Sequence, residues 1–181
     1  MDFFETIKKR RTIRNYEWKK IPFSSIKKII LAGGMAPSAM NKQPWRIVVI
    51  DDPKVKESIR KIYENARKEL NYYEQDTSFI TNGTLILVCS ESHDKAMEYS
   101  CAMAAENMLL AATALGLGSG VSIAIFQSEK GEKAMRKLLK IPEAYCPMLL
   151  LTVGAEKKGE IKHKPKEVKL TIHKNKFGRN G

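Results

Sequence analysis

The sequence predicts one domain built from both helices and buried strands. The chain has 181 residues, a usual length for a single domain with its own core. Three short apolar runs are typical of buried strands, and amphipathic segments with helical spacing occupy much of the sequence between them. No internal repeat and no linker divides the chain. We therefore expect one domain over residues 1–181, ending in a basic extension from about residue 155.

Capping residues mark where the predicted helices begin. Asp52 followed by Pro53 is a favoured helix start, because aspartate accepts hydrogen bonds from the first turn and proline lacks an N–H that would go unused there. Asp94 has the same capping role before the longest helix. The predicted helices cover residues 2–11, about 25–34, 53–70, 95–115 and 128–140.

Three continuous apolar runs, residues 47–50, 85–89 and 148–153, are predicted to be strands buried on both faces. Residues 71–82 are polar and are interpreted as irregular. Residues 116–121 contain three glycines and are interpreted as a helix end followed by a flexible turn. They do not match a dinucleotide-binding fingerprint, because they follow a helix instead of joining a strand to a helix start.

The helix predicted over residues 95–115 is apolar almost all round. Such a helix must be buried on every side, either in a subunit interface or in the centre of a monomer. Its many small residues allow another helix to approach closely. This favours a dimer, with a central monomer helix as the alternative.

Composition excludes several classes of protein. No apolar run approaches the roughly 18 residues that a membrane span needs, and the N-terminus does not resemble a signal peptide, so we expect a cytoplasmic protein. The net charge of +12 suits phosphorylated ligands. Nucleic-acid binding is disfavoured, because no helix-turn-helix, zinc-finger or RNP-type motif accompanies the charge.

The three cysteines, Cys89, Cys101 and Cys146, are far apart and have apolar neighbours in the sequence. They are predicted to be buried, reduced thiols. The histidines are also scattered, so we expect no metal site. The sequence contains no phosphate loop, nucleophile elbow or Cys–His signature. If the protein is an enzyme, a cofactor is expected to carry the chemistry, with no catalytic residue supplied by the chain.

Two short segments offer ligand chemistry, and the first contains Arg10, Thr12 and Arg14. If the chain becomes extended at Arg11, alternation places these three side chains on one side. Two guanidinium groups and a hydroxyl suit a phosphate monoester. The alternative is a solvated basic helix end, which the helix dipole favours.

The second segment is a loop over residues 37–45, bounded by two prolines. Its small and amide side chains can face a flat ligand, whereas Trp45 is expected to join the core. The candidate ligand contacts in this loop are Pro37, Ser38, Ala39, Asn41 and Gln43.

Together the two segments resemble the signature motifs of the nitroreductase family of flavin oxidoreductases. Residues 10–16, Arg-Arg-Thr-Ile-Arg-Asn-Tyr, match the family's Arg-Arg-Ser-x-Arg run with its following aromatic, and residues 37–45 match Pro-Ser-x-x-Asn-x-Gln-Pro-Trp. The resemblance covers nearly the whole chain, which is similar to a small member of the family. It implies an α+β fold with a mainly antiparallel sheet flanked by helices, and an intertwined homodimer that binds FMN at the subunit interface.

The resemblance also implies individual roles. Arg10 would hold the phosphate, Thr12 would replace the family's Ser, and Arg14 would lie beside the pyrimidine side of the ring. The loop would reach the same flavin from the other subunit. The implied FMN contacts are Arg10, Arg11, Thr12, Arg14, Pro37, Ser38, Ala39, Asn41, Gln43, Ile123, Ala124, Lys164 and Lys166.

The implied activity is transfer of hydride from NAD(P)H through FMN to an acceptor such as a nitroaromatic or a quinone. One alternative is a specialised flavin reaction, such as dehalogenation or heterocycle oxidation, that does not use NAD(P)H. Another, from a different class, is a basic nucleic-acid-binding protein without catalysis. Residues 71–82 are short compared with larger members, so a more open substrate pocket is expected.

Overall fold

The centre of the structure, a computed structural model that describes residues 2–157 and 168–177, is a four-stranded antiparallel sheet. Its strands are β1 (Trp45–Ile50), β2 (Thr84–Ser90), β3 (Gly118–Ser122) and β4 (Cys146–Gly154). The order across the sheet is β1-β2-β4-β3, and every neighbouring pair is antiparallel. The predicted α+β class with a mainly antiparallel sheet is confirmed.

Helices cover both faces of this sheet. They are α1 (Phe3–Lys9), α2 (Phe23–Gly34), α3 (Pro53–Glu69), α4 (Ser78–Asn82), α5 (Lys95–Ala114), α6 (Ala124–Gln127) and α7 (Glu129–Leu139), with a short 3₁₀ turn at Ala39–Asn41. The caps predicted from sequence are present, since the carboxylates of Asp52 and Asp94 each accept two N–H groups of the following turn.

Strand β2 divides the core into two layers, because all seven of its residues are buried and alternate residues face opposite sides. Leu85 and Leu87 pack with α3, α4, α6 and α7. Ile86 and Val88 pack with α2 and α5 on the other face. The sheet therefore separates a four-helix layer from a two-helix layer.

One predicted strand is present but less buried than expected, and a further strand was expected to be a turn. The run at residues 47–50 belongs to an edge strand, so its burial alternates and Val48 is 36% exposed. Residues 116–121 were expected to be a helix end followed by a flexible turn, but residues 118–122 form β3. The small residues there give little β-propensity of their own, and pairing with β4 holds the strand in place. Their small size is needed, because a Cβ at Gly118 would lie 2.8 Å from Ile13 Cγ2.

Two further segments differ from expectation. Residues 71–82 are not irregular throughout, because their last part forms α4. The apolar side chains of α1 are largely exposed, since Phe3, Phe4 and Ile7 are 62%, 68% and 44% exposed.

Helix α5 is not buried on every side within one chain. Ala104, Met108 and Ala112 are buried against the sheet and α2. On other faces, Tyr99 is 66% and Met103 41% exposed. Other exposed apolar side chains are on α1 and α2 and at the residue that follows α2, namely Phe3, Phe4, Ile7, Phe23, Leu31 and Met35.

The predicted burial of the cysteines is confirmed, since Cys89, Cys101 and Cys146 are buried and free. Burial raises the pKa of the Cys89 and Cys101 thiols to about 11. Within the described part of the chain, no group of three or more His, Cys, Asp or Glu residues could hold a metal ion. Over the same residues, no helix has the length and apolar character required to cross a membrane.

Candidate functional site

Residues 10–16 leave α1 and run alongside β3. Arg10 caps the end of α1 with extended dihedral angles, and Thr12 forms an isolated parallel bridge with Ser119. The N–H of Ile13 donates to the main-chain oxygen of Ser119 at 2.8 Å. Helix α1 therefore ends at Lys9, before the predicted end at residue 11, and β3 supports the segment that follows, as the alignment considered for Arg10, Thr12 and Arg14 requires.

Tyr16 fixes the far end of this segment. Its hydroxyl donates to the main-chain oxygen of Ile13 at 2.6 Å and lies 3.0 Å from Thr152 Oγ1. Its ring lies so close to Gly154 that no side chain fits at that position, because a Cβ at Gly154 would lie 2.4 Å from Tyr16 Cγ. Burial raises the Tyr16 pKa well above its ordinary value, so the hydroxyl stays protonated.

The two arginines predicted to bind the ligand are oriented by different helices. Arg10 Nε lies 3.4 Å from Glu106 Oε1 on α5. The Arg14 guanidinium lies over the ring of Phe79 on α4, 5.6 Å from its centroid. Thr12 lies between them in the chain and is exposed, and its Cγ2 would lie 3.4 Å from a Cβ at Gly120. Arg10 is thus held by the layer that contains α5 and Arg14 by the layer that contains α4, while Thr12 is bridged to Ser119 of β3.

Arg11 is placed differently from its neighbours. Its Nη1 donates to the main-chain oxygens of Lys8 and Arg10 at 2.5 and 2.8 Å. These are carbonyl groups at the end of α1 that lack helical partners. The Arg11 guanidinium therefore caps the C-terminal end of α1.

The second candidate segment is a strained polar turn. Met40, Asn41 and Gln43 have φ angles of 51°, 54° and 48°, in the left-handed region that residues other than glycine rarely adopt. Such strain costs on the order of 1–3 kcal/mol per residue and is concentrated at functional sites. The turn containing Ser38, Ala39, Asn41 and Gln43 therefore has a conformation that its own sequence does not favour.

Hydrogen bonds hold this turn in place. Ser38 Oγ accepts from the Gln43 N–H at 3.0 Å, and Gln43 Nε2 donates to Asn41 Oδ1 at 3.1 Å. The Ala39 N–H donates to Ser100 Oγ on α5 at 3.3 Å. Pro37 is exposed before the turn, and Trp45 after it packs partly buried against the α2 and α5 layer, as predicted.

Helix α5 holds the two candidate segments on different faces. It contacts the first segment through Glu106 and the second through Ser100. Residues six apart on a helix are separated by about 9 Å along the axis and by about 120° around it. The chain thus anchors residues 10–14 and the turn at different points of this helix, and the hydrogen bonds of Ser38, Asn41 and Gln43 bring the residues of the turn together.

The remaining predicted contacts are at the end of β3 and in the basic extension. Ile123 is 45% exposed directly after β3, whereas Ala124 is buried at the start of α6. Lys164 and Lys166 lie outside the described residues.

Three residues that orient the candidate site were not predicted from the sequence: Ser100, Glu106 and Phe79. Ser100 and Glu106 are polar residues within an apolar helix, which is the one signal that could have drawn attention to them. Phe79 has no comparable sequence signal.

The chain matches a family model and is similar to known proteins. The model of the nitroreductase family matches residues 7–155. A protein of Methanothermobacter thermautotrophicus, provisionally named NADH dehydrogenase/NAD(P)H nitroreductase, is 31% identical over 157 residues, which are 85% of this chain and 77% of that protein.

Two solved structures with bound FMN are also similar. An oxidised iodotyrosine deiodinase bound to FMN and 3-iodo-L-tyrosine has a TM-score of 0.82 and 26% identity, over 96% of this chain and 99% of that one. A nitroreductase with bound FMN from Bacteroides fragilis has a TM-score of 0.78 and 27% identity, over 94% of this chain and 98% of that one.

Proposed function

This chain belongs to the nitroreductase family, and from that membership we propose that it is an FMN-dependent oxidoreductase that uses NADH or NADPH to reduce a small acceptor such as a nitroaromatic or a quinone. FMN, when bound, supplies the redox chemistry by accepting hydride from the nicotinamide and passing electrons to the acceptor. The observation that carries the proposal is that residues 10–14 leave α1 and run beside β3, with Thr12 bridged to Ser119 and with Arg10 and Arg14 held by side chains of two different helices.

The donor groups of this segment fit a phosphate monoester and an electron-rich ring. Glu106 contacts Arg10 through Nε, which leaves the two Nη groups to donate to anionic oxygens. The exposed Thr12 hydroxyl offers a further donor. Arg14 offers a cation beside the pyrimidine side of the ring, where it would stabilise the negative charge of the reduced form.

The turn at residues 38–43 suits the ring for a different reason. Its small side chains at Ser38 and Ala39 permit a flat heterocycle to approach the backbone, and Asn41 and Gln43 carry amide groups that can donate and accept. The hydrogen bonds within the turn fix its shape before any ligand binds, which reduces the ordering cost of binding.

We further propose that the protein is a homodimer and that each site takes the segment at residues 10–14 from one subunit and the turn from its partner. Two features support this arrangement. The two segments contact different faces of α5, and Tyr99 and Met103 on the outward face of α5 are exposed, as are apolar side chains of α1 and α2. Extensive exposed apolar surface marks interaction sites.

We also propose that the protein is cytoplasmic, because its three buried cysteines are free and reduced thiols are typical of that compartment.

A spectroscopic experiment tests the proposed function. Purified protein incubated with FMN and desalted should retain the absorption bands of flavin, and anaerobic NADH or NADPH should bleach them. Adding a nitroaromatic or a quinone should restore them. Protein that remains colourless after incubation with FMN would contradict the proposal.

The similarity to the FMN-bound iodotyrosine deiodinase supports a second candidate function, which is reductive dehalogenation without nicotinamide turnover. Two measurements distinguish the candidates. Flavin that dithionite reduces but NADH and NADPH do not, together with iodide release from 3-iodo-L-tyrosine, would favour dehalogenation. Bleaching by a nicotinamide without iodide release would favour the first function.

A further inference from the structure

We propose that Phe79 is a positioning residue for Arg14 and thereby raises the midpoint potential of the bound flavin. This inference rests on the proposed FMN function. It comes from one contact, in which the Arg14 guanidinium lies 5.6 Å from the centroid of the Phe79 ring. Phe79 is only 2% exposed, so the ring is a fixed part of the core.

Stacking on a ring orients a guanidinium without consuming its hydrogen-bond donors. The Arg14 Cζ lies over the Phe79 ring, and attraction of a cation to an aromatic ring leaves the N–H groups of the guanidinium available to donate to a ligand. The ion pairs formed within residues 2–157 and 168–177 do not include Arg14. Among the described residues an aromatic ring contacts this cation and no carboxylate forms an ion pair with it, so no ion pair with these residues offsets its positive charge.

The ring of Phe79 is itself held rigidly. It packs edge-on against Tyr63, with centroids 5.8 Å apart and planes at 88°. Tyr63 is anchored in turn, because its hydroxyl accepts from Gln75 Nε2 at 2.8 Å. At the end of α4, Lys56 Nζ donates to the main-chain oxygens of Thr81 and Gly83 at 2.6 and 2.9 Å.

These contacts define what Phe79 contributes to the site. A long side chain such as arginine loses considerable rotamer freedom when it binds in one orientation. The fixed ring restricts that freedom in advance, so the charge of Arg14 is held where negative charge develops on reduction. Reduced flavin gains more from this placement than oxidised flavin does, which raises the midpoint potential.

The test is a double-mutant cycle with Phe79→Leu and Arg14→Gln, read out as the midpoint potential and the Kd of FMN. Phe79→Leu should lower the potential by roughly 30 mV, which for a two-electron couple is about a tenfold loss of preference for reduced flavin. Arg14→Gln should lower it at least as far, and the double variant should fall no further than Arg14→Gln alone.

Two additional variants separate positioning from stability. Ile80→Val alters the neighbouring fully buried residue of α4, and should lower the melting temperature while leaving the potential unchanged. Arg14→Lys leaves the core intact and keeps the charge, but an ammonium group cannot stack as a plane, so its potential should also fall.

A potential for Phe79→Leu or Arg14→Lys equal to that of the unaltered protein would overturn the inference, as would additive falls in the double variant. These outcomes require that the unaltered protein binds FMN. Failure of that protein to take up FMN is a separate result and contradicts the proposed function itself.

Discussion

The N–H of Ala39 donates to Ser100 Oγ at 3.3 Å, and this bond joins the strained turn to the longest helix. Ser100 is 1% exposed, and its hydroxyl donates to the main-chain oxygen of Ala96 at 2.7 Å. Because the serine is fixed to α5 by one bond and accepts from the turn through the other, the position of the turn depends on the helix.

Ser100→Ala should weaken FMN binding without unfolding the protein. Removing one neutral hydrogen bond costs about 0.5–1.5 kcal/mol, which corresponds to an increase in Kd of roughly two- to tenfold if the turn must reorder on binding. Fluorescence titration of the apoprotein with FMN measures this change. Ser58→Ala is a matched control, because Ser58 also donates to the main-chain oxygen four residues earlier but supports no loop. Equal Kd values for the two variants would contradict the anchoring role.

Arg10→Gln should weaken binding of FMN much more than binding of riboflavin, which lacks the phosphate. Hydrogen bonds to charged groups contribute about 1.5–3 kcal/mol, so the Kd of FMN should rise at least about tenfold. Titration of both ligands measures the difference. Arg46→Gln is a suitable control, because it also removes a guanidinium, from a residue of the edge strand β1 that pairs with Glu91. An equal loss of affinity for both ligands would remove the phosphate assignment.

Met103→Glu should convert a dimer into monomers and also reduce flavin binding. The substitution places a carboxylate on the outward apolar face of α5, where burial in an interface would be costly. Light scattering measures the mass, and absorbance measures the retained flavin. Lys61→Glu on the exposed surface of α3 should alter neither quantity. A dimer that survives Met103→Glu with full flavin content would place the interface elsewhere.

The buried thiols predict a loss of stability at alkaline pH. The pKa values of Cys89 and Cys101 are raised to about 11 by burial, so the folded state keeps these protons while the unfolded state releases them above about pH 9. The free energy of unfolding should therefore fall between about pH 9 and pH 11. Urea unfolding at several pH values measures this slope, and it should be shallower in the double variant Cys89→Ala, Cys101→Ala. An identical slope in that variant would contradict the assignment.

Features that depend on neighbouring residues could be predicted from the sequence, whereas features that depend on contacts between distant residues could not. The helix starts after Asp52 and Asp94 depend on side chains that cap adjacent residues, so the sequence alone indicates them. Strand β3 depends on pairing with β4 and on the packing of Ile13, and its glycine- and serine-rich sequence has no strand signal of its own. The apolar sequence of α5 predicted burial on every side. It could not tell whether the same chain or a second subunit covers the outward face, because apolar residues do not indicate which molecule covers them.

The same division holds for the candidate site. The residue types at 10–14 and 37–43 suggested a phosphate and a flat ring, since those chemistries depend on the side chains themselves. The residues that orient them are far away in the sequence, as Ser100 is from Ala39 with a separation of 61 positions. Only folding brings such pairs together, so no motif could have identified them.

The central claim is that each flavin site combines residues from two subunits, and a heterodimer tests it most directly. One subunit would carry Arg10→Gln and the other Ser38→Ala with Asn41→Ala, each with a different affinity tag so that only mixed dimers are purified. In a two-fold dimer with shared sites, one site of the mixed dimer contains every substitution and the other contains none. The account predicts about one FMN per mixed dimer, bound with the affinity of the unaltered protein. A mixed dimer that binds FMN no better than its two parent variants would contradict it.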